Sequence, residues 1–242
     1  MKSIIIGMGE VGSAHYRLVK PYHKDTYCVD ADVSRIPRES RKPPAGPYGV
    51  MHVCIRYSKD FEAIVQGYVD QFDPEIINIC TTVPPGTTRK IEESACHSTT
   101  RGLHPNLDTG LKTITKHIGG AEAEALKEYF EVCGIKCHSH VTPETTELAH
   151  ILNNAAYGIN LMFADEMQKL CRRYGVDYFE AVMLYTQTNN EGYERLGHKS
   201  KRRTILTPPN GRIGGHCVNH SAELIPEKER PPMMSMLAKY GK

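Results

Sequence analysis

The chain has 242 residues, of which 40% are hydrophobic and 24% charged, the composition of a globular protein large enough for one big domain or two small ones. A net charge of +2 and a pI near 8.1 argue against nucleic acid as the main partner. No run reaches the roughly 18 apolar residues of a membrane span. Met1 leads almost at once into a strand, which leaves no room for a signal peptide, and the eight cysteines lack a framework spacing, so a cytoplasmic protein with reduced thiols is expected.

Lys2 to Ile6 is a short β-branched run followed by Gly7-Met8-Gly9-Glu10-Val11-Gly12 and then a predicted helix, Ser13 to Lys20. The pattern G-x-G-x-x-G between a strand and a helix turns the backbone tightly and presents a pyrophosphate to free N–H groups at the helix N-terminus. Gly7, Gly9, Glu10, Val11 and Gly12 are therefore the candidate cofactor-binding loop. A second strand, Thr26 to Val29, ends in Asp30, 18 residues after Gly12 (30 − 12). A carboxylate there accepts hydrogen bonds from ribose hydroxyls and repels a 2′-phosphate, which favours NAD over NADP. Ala31 to Gly49, rich in proline and arginine and without a period, reads as a mobile loop. Its Arg35, Arg38 and Arg41 keep NADP as the minority reading.

Val50 to Ile55 reads as a third strand, Phe61 to Phe72 as a helix, and Glu75 to Cys80 as a fourth strand that runs into Thr81-Thr82-Val83-Pro84-Pro85-Gly86-Thr87-Thr88. Strands alternating with helices predict a doubly wound parallel sheet, and loops after such strands face the ligand crevice, which brings Thr82 towards the cofactor. Lys90 to Cys96 and Ala121 to Cys133 read as helices. The Arg101 to Asn106 segment reads as a loop before a strand near Lys116 to Ile118, and Ile135 to His138 closes the sheet. Cys133, Cys137, His138 and His140 invite a zinc reading. Alternate side chains of a strand point to opposite faces and no second ligand pair has finger-like spacing, so no metal is expected.

Thr142 to Gly175 predicts one long helix. Thr142 and Pro143 suit its start, apolar residues recur every three or four positions from Leu148 to Leu170, Arg172 and Arg173 suit its end, and Gly175 can leave left-handed. At 1.5 Å per residue it spans about 48 Å. His150, Asn154 and Tyr157 share one polar stripe on it, and a helix this long predicts an apolar partner, hence a homodimer. A second helix is expected over Asp177 to Tyr185, then a polar, basic stretch from Thr188 to Thr207. The loop Pro208 to Cys217 places a thiol after Gly214-Gly215-His216, a thiol able to act as a nucleophile. The tail from Pro231 to Lys242 is expected to be loosely held. The predicted organisation is a doubly wound Rossmann domain over residues 1–140, a helical dimerisation domain over 141–200, and the cysteine loop and tail over 201–242.

Gly7-x-Gly9-x-x-Gly12, Thr81 to Thr88, Glu147-Leu148-Ala149-x-x-Leu152-x-Asn154 and Gly214-Gly215-His216-Cys217 occur in that order. Together they resemble the UDP-glucose/GDP-mannose dehydrogenase family, over about residues 1 to 220. The resemblance implies an NAD-dependent oxidoreductase acting on the CH–OH group of a sugar nucleotide, with a long helix at the dimer contact. It further implies Cys217 as nucleophile, Asn154 as the donor that steadies the oxyanion, and Thr82 beside the nicotinamide. His150 stands where the family has its catalytic lysine, the family glutamate near Pro105 is Asn106 or is absent, and Ser221 replaces an acidic residue. Only 25 residues follow Cys217 (242 − 217), so a shortened form without the family's C-terminal nucleotide-gripping domain is expected. The Rossmann and helical parts also resemble the 6-phosphogluconate and 3-hydroxyacid dehydrogenases, whose Lys-x-x-Asn-Asn motif falls on His150 to Asn154. That leaves a two-electron dehydrogenase with His150 as acid/base, or a non-catalytic NAD-binding subunit, as alternatives.

Overall fold

Ser3–Ile6 (β1) has no exposed side chain, which is possible only for a strand in the middle of a sheet covered on both faces. In the computed structural model it lies between Thr26–Val29 (β2) and Tyr48–Val53 (β3), and the sheet continues through Pro74–Ile79 (β4), Cys96–His97 (β5), Lys116–Gly119 (β6) and Cys137–His140 (β7). The structure describes residues 1–209, 213 and 216–240, the side chains of 216 and 217 excepted. The strand order is β2-β1-β3-β4-β5-β6-β7, parallel throughout except at β5–β6.

Alternation along β1 sends its side chains to opposite faces. Ile4 and Ile6 pack with Phe61, Val65 and Phe72 of Phe61–Phe72, the second helix. Ile5 turns the other way, to Tyr16 of the first helix, Glu10–Val19 (α1). On the α1 side the core also takes in Leu107 and Leu111 of Leu107–Thr113 and Leu126, Tyr129 and Phe130 of Ala123–Val132. In chain order these helices are α1, α2 (Phe61–Phe72), α3 (Thr87–Ile91), α4 (Leu107–Thr113) and α5 (Ala123–Val132). Helices on both faces make the sheet doubly wound, as expected.

The long helix, α6, runs from Pro143 to Tyr174. It ends in a Schellman arrangement: Gly175 has φ +66°, its N–H donates to Arg172, and the Val176 N–H donates to Cys171. A single π turn, Phe179–Leu184, leads into α7 (Tyr185–Arg195), which takes in the start of the polar, basic stretch from Thr188, and α8 (His216–Glu223) and α9 (Pro232–Lys239) follow.

By compactness the chain divides into Met1–His150 and Ile151–Lys242. In the second unit α6 approaches α8 and α9 at Gly158. A Cβ there would lie 2.2 Å from Val218 and 2.9 Å from Leu237, which is itself fully buried. The C-terminal segment, expected to be loose, is thus a packed helix, held further by the Tyr240 hydroxyl donating to Asp165 at 2.6 Å. Gly158→Val is expected to destabilise this unit by about 3 kcal/mol through overpacking, read as an earlier urea midpoint. An unchanged midpoint would mean that α8 and α9 do not pack here.

Two other departures are local. Ala31 to Gly49 is not a mobile loop: it contains two short turns, and the buried Ser40 hydroxyl bonds Tyr16 Oη at 2.9 Å and the Thr26 carbonyl at 3.1 Å. The helix expected over Lys90 to Cys96 is α3, ending at Ile91, followed by the two-residue strand β5.

Candidate functional site

At the carboxyl end of β1 the chain turns through Gly7, φ +92°, into α1. A Cβ on Gly7 would meet the Cys54 carbonyl oxygen at 2.9 Å, and one on Gly12 would sit 1.8 Å from the Gly7 carbonyl oxygen. Both positions therefore demand glycine, whereas Gly9 has open space in front of it. α1 starts with no side-chain cap, so helix geometry leaves the first N–H groups, including those of Glu10, Val11 and Gly12, without intrahelical acceptors at the positive end of the helix dipole. The Glu10 side chain bonds His104, and Val11 packs on the core, so both offer a ligand their backbone rather than their side chains.

Asp30 closes this loop. Its Oδ2 accepts the Met8 N–H at 2.5 Å and its Oδ1 accepts the Asp32 N–H at 2.8 Å, so the carboxylate at the end of β2 holds the glycine turn beside it. Each oxygen retains a lone pair for another donor. Of the three arginines from Ala31 to Gly49, Arg35 pairs with Asp32 at 3.3 Å and Arg41 donates to the Ile36 carbonyl at 2.9 Å, while Arg38 is exposed. Gly12→Ala is expected to cost about 3 kcal/mol, because the helix must back away from Gly7, and to weaken dinucleotide binding in an NADH fluorescence titration. Wild-type stability and affinity in that variant would mean that the turn is looser than described.

After β4, Thr81 Oγ1 donates to the Ile55 carbonyl at 2.6 Å, and Thr82 is half-buried next to it. The loop beyond is held by Glu147 of α6, a fully buried carboxylate whose Oε2 accepts the Gly86 N–H at 2.5 Å and whose Oε1 accepts the Thr88 N–H at 2.8 Å. These are the first N–H groups of α3, so Glu147 caps that helix from 59 to 61 residues away. The carboxylate is structural, and it joins the Thr81–Thr88 motif to the Glu147–Asn154 motif. His97 supports the same loop, with Nε2–H donating to the Thr81 carbonyl at 3.1 Å and Nδ1 2.8 Å from the Thr146 hydroxyl.

His150 lies on α6 with Nδ1 3.0 Å from Thr99 Oγ1. Burial, then the charges of Arg101 and Lys116, lower its pKa to about 4. The ring is therefore neutral at pH 7 and free of charge to accept a proton, but it is a weaker base than an exposed histidine. Lys116 is itself buried, donating to the Ser98 carbonyl at 2.8 Å and lying 5.0 Å from the Phe130 ring centre. Beneath the glycine loop, His15, His52 and Cys80 bring donor atoms within 4.8 Å of one another. His52 is fully committed, with Nδ1 accepting from Asn78 at 2.9 Å and Nε2 3.2 Å from the Tyr129 hydroxyl.

In the second unit, Asn154 of α6 donates to the buried Ser221 Oγ of α8 at 3.0 Å. Cys217 lies one turn before Ser221 on α8, and its side chain falls outside the described residues, as do Gly214 and Gly215. The structure thus links the Asn154 motif to the helix that carries Cys217 through Ser221. Glu147 and Ser221 are the polar groups whose roles sequence reasoning missed. The spacing of Glu147 from Asn154 was visible, but its partners were not.

No family model matches the chain. Its curated relatives include the UDP-N-acetyl-D-mannosamine dehydrogenases of Methanococcus maripaludis strain C7, 28% identical over 166 residues, and of Methanococcus vannielii, 27% identical over 184. The alignments cover 64% and 72% of this chain but only 36% and 39% of those proteins, so the chain spans a little over a third of the relatives it matches. Among solved structures, a UDP-D-ManNAc dehydrogenase from Pyrococcus horikoshii superposes with a TM-score of 0.78 at 19% identity, over 100% of this chain and 68% of that one. A 3-hydroxyisobutyrate dehydrogenase from Mycobacterium tuberculosis gives 0.70 at 14%, over 98% and 91%. The chain thus shares the Rossmann-type fold of these dehydrogenase structures. In sequence the chain is similar to the UDP-N-acetyl-D-mannosamine dehydrogenases, whose motifs it resembles.

Proposed function

We propose that this chain is an NAD-dependent dehydrogenase that oxidises the CH–OH group of a sugar nucleotide or a related sugar alcohol. The observation that carries this reading is the Gly7–Gly12 turn held against Asp30 at the carboxyl end of β1, in a chain related to nucleotide-sugar dehydrogenases. The N–H groups at the start of α1 would hold the pyrophosphate, Asp30 would accept hydrogen bonds from the ribose hydroxyls, and Thr82 would face the nicotinamide. The engagement of Arg35 and Arg41 elsewhere supports NAD over NADP.

NAD supplies the hydride acceptor for each oxidation. His150 takes the alcohol proton, Asn154 steadies the oxygen that bears developing negative charge, and the Cys217 thiol adds to the resulting aldehyde. The thiohemiacetal so formed loses a second hydride to give a thioester, and water releases the carboxylic acid and the free thiol. Two NADH per substrate are expected from purified protein supplied with NAD and a panel of UDP- and GDP-sugars, and Cys217→Ser should stop acid formation while leaving NAD binding intact. One NADH per substrate, unaffected by that substitution, would assign a two-electron reaction on a smaller hydroxyacid. NAD binding without any turnover would overturn the catalytic reading in favour of a binding subunit.

We also propose a homodimer. Leu152, Tyr157, Phe163, Leu170 and Tyr174 of α6 are about half exposed or more, an apolar series along one long helix, and a second copy of this helix is the occupant that its length favours. Light scattering at micromolar concentration is expected to give twice the monomer mass; a monomer would reject it.

A further inference from the structure

We propose that His117, His138 and His140 form a surface site for one zinc-class divalent cation on the outer face of the β6–β7 edge. His138 and His140, two apart on a strand, point the same way. The register of β6 on β7 sets His117 directly opposite His138. α5 covers the other face, where Cys137 is buried and Ser139 bonds Glu124, so the three imidazoles stand together on the face away from that helix. This removes the objection that the sequence raised against zinc. The cysteines do point away, and the missing ligand comes from a neighbouring strand instead.

The rings already form a near-equilateral cluster, with centroids 5.5 Å apart for His117–His138, 5.1 Å for His117–His140 and 4.9 Å for His138–His140. Three imidazoles sharing one zinc at about 2.05 Å in tetrahedral geometry place their centroids about 5.2 Å apart. His117 Nδ1 and His140 Nε2 lie 2.8 Å apart, so one donates to the other; a metal would open this pair to about 3.3 Å and turn the His138 ring inward, because the three rings' donor atoms do not yet all lie within 4.8 Å of one another. Neutral imidazole is the form that ligates, and water fills the fourth position. All three ligands come from two adjacent strands, so binding fastens β7, the last strand of the sheet, to β6.

The test is calorimetric titration of the full chain with zinc chloride at pH 7.5, together with the absorption spectrum of the cobalt-substituted protein. One zinc per chain is expected, with affinity at least about tenfold weaker in His117→Ala and in His138→Ala, unchanged in the exposed His198→Ala, and with a melting temperature raised by zinc only where all three histidines are present. Tetrahedral cobalt bands without thiolate charge transfer are expected. Undiminished binding in His138→Ala would overturn the site, as would the absence of binding in the wild type. A thiolate-to-cobalt band would also overturn it, by moving the metal to the buried His15–His52–Cys80 cluster.

Discussion

Lowering the pH from 7 to 5 is expected to cost the first unit about 4 kcal/mol of stability. Three imidazoles inside it are held neutral by burial: His52, lowered to about 4, His97, lowered to about 3, and His150, lowered to about 4. In each case desolvation is the leading cause, and neighbouring positive charge adds to it, including that of Lys116. In the unfolded chain the same rings titrate near 6.5. Folded pKa values below unfolded ones mean that the unfolded state binds more protons between the two. The stabilisation is therefore complete above pH 6.5 and is lost as pH falls towards 4. Three full titrations give a limiting slope of about 4 kcal/mol per pH unit, and the difference between pH 7 and pH 5 is put lower because buried groups relax. Urea unfolding at several pH values measures it, with proton uptake by calorimetry as a check. Equal midpoints at pH 7 and pH 5 would show these rings to be hydrated.

Glu147→Ala is expected to remove about 4 kcal/mol, because it leaves the part-buried Gly86 N–H and the buried Thr88 N–H without the charged acceptor that both now share. Glu147→Gln should lose roughly half as much, since its one carbonyl oxygen can replace only one of the two bonds. The functional consequence follows from position. The loop that Glu147 holds carries Thr82, so the alanine variant is expected to bind NAD about tenfold more weakly even at a temperature where it remains folded. Thermal unfolding and an NADH titration separate the two effects. A loss below about 0.5 kcal/mol would mean that water already satisfies those donors.

The clearest parts of the fold in the sequence were those whose cause is local. β1, the glycine turn and α1 are contiguous, and the demand at Gly12 arises from Gly7 just before it, although the close contact at Gly7 comes from Cys54 after β3. Asp30 was legible because a fixed strand and helix length returns the chain to the same edge. β5 was not legible, since two residues carry no period, and neither was its neighbour's antiparallel direction. Ala31 to Gly49 read as mobile because its order comes from Tyr16, on another element. α9 read as a loose tail because what holds it is an absent side chain, Gly158, far earlier in the chain.

The candidate site divides in the same way. Residue types and spacing alone determined a tight glycine turn with an acidic partner, a long helix carrying His150 and Asn154, and a cysteine after paired glycines. Only the tertiary structure decided that Glu147 is a cap, that His150 is a neutral, weakened base, that Ser221 receives Asn154, and that a third histidine joins His138 and His140. A turn or a helix is set by interactions within a few residues, which a linear pattern records. Which polar groups meet, and how far burial shifts them, depends on strand register and helix packing, and these are set by burying the apolar surface of the whole unit.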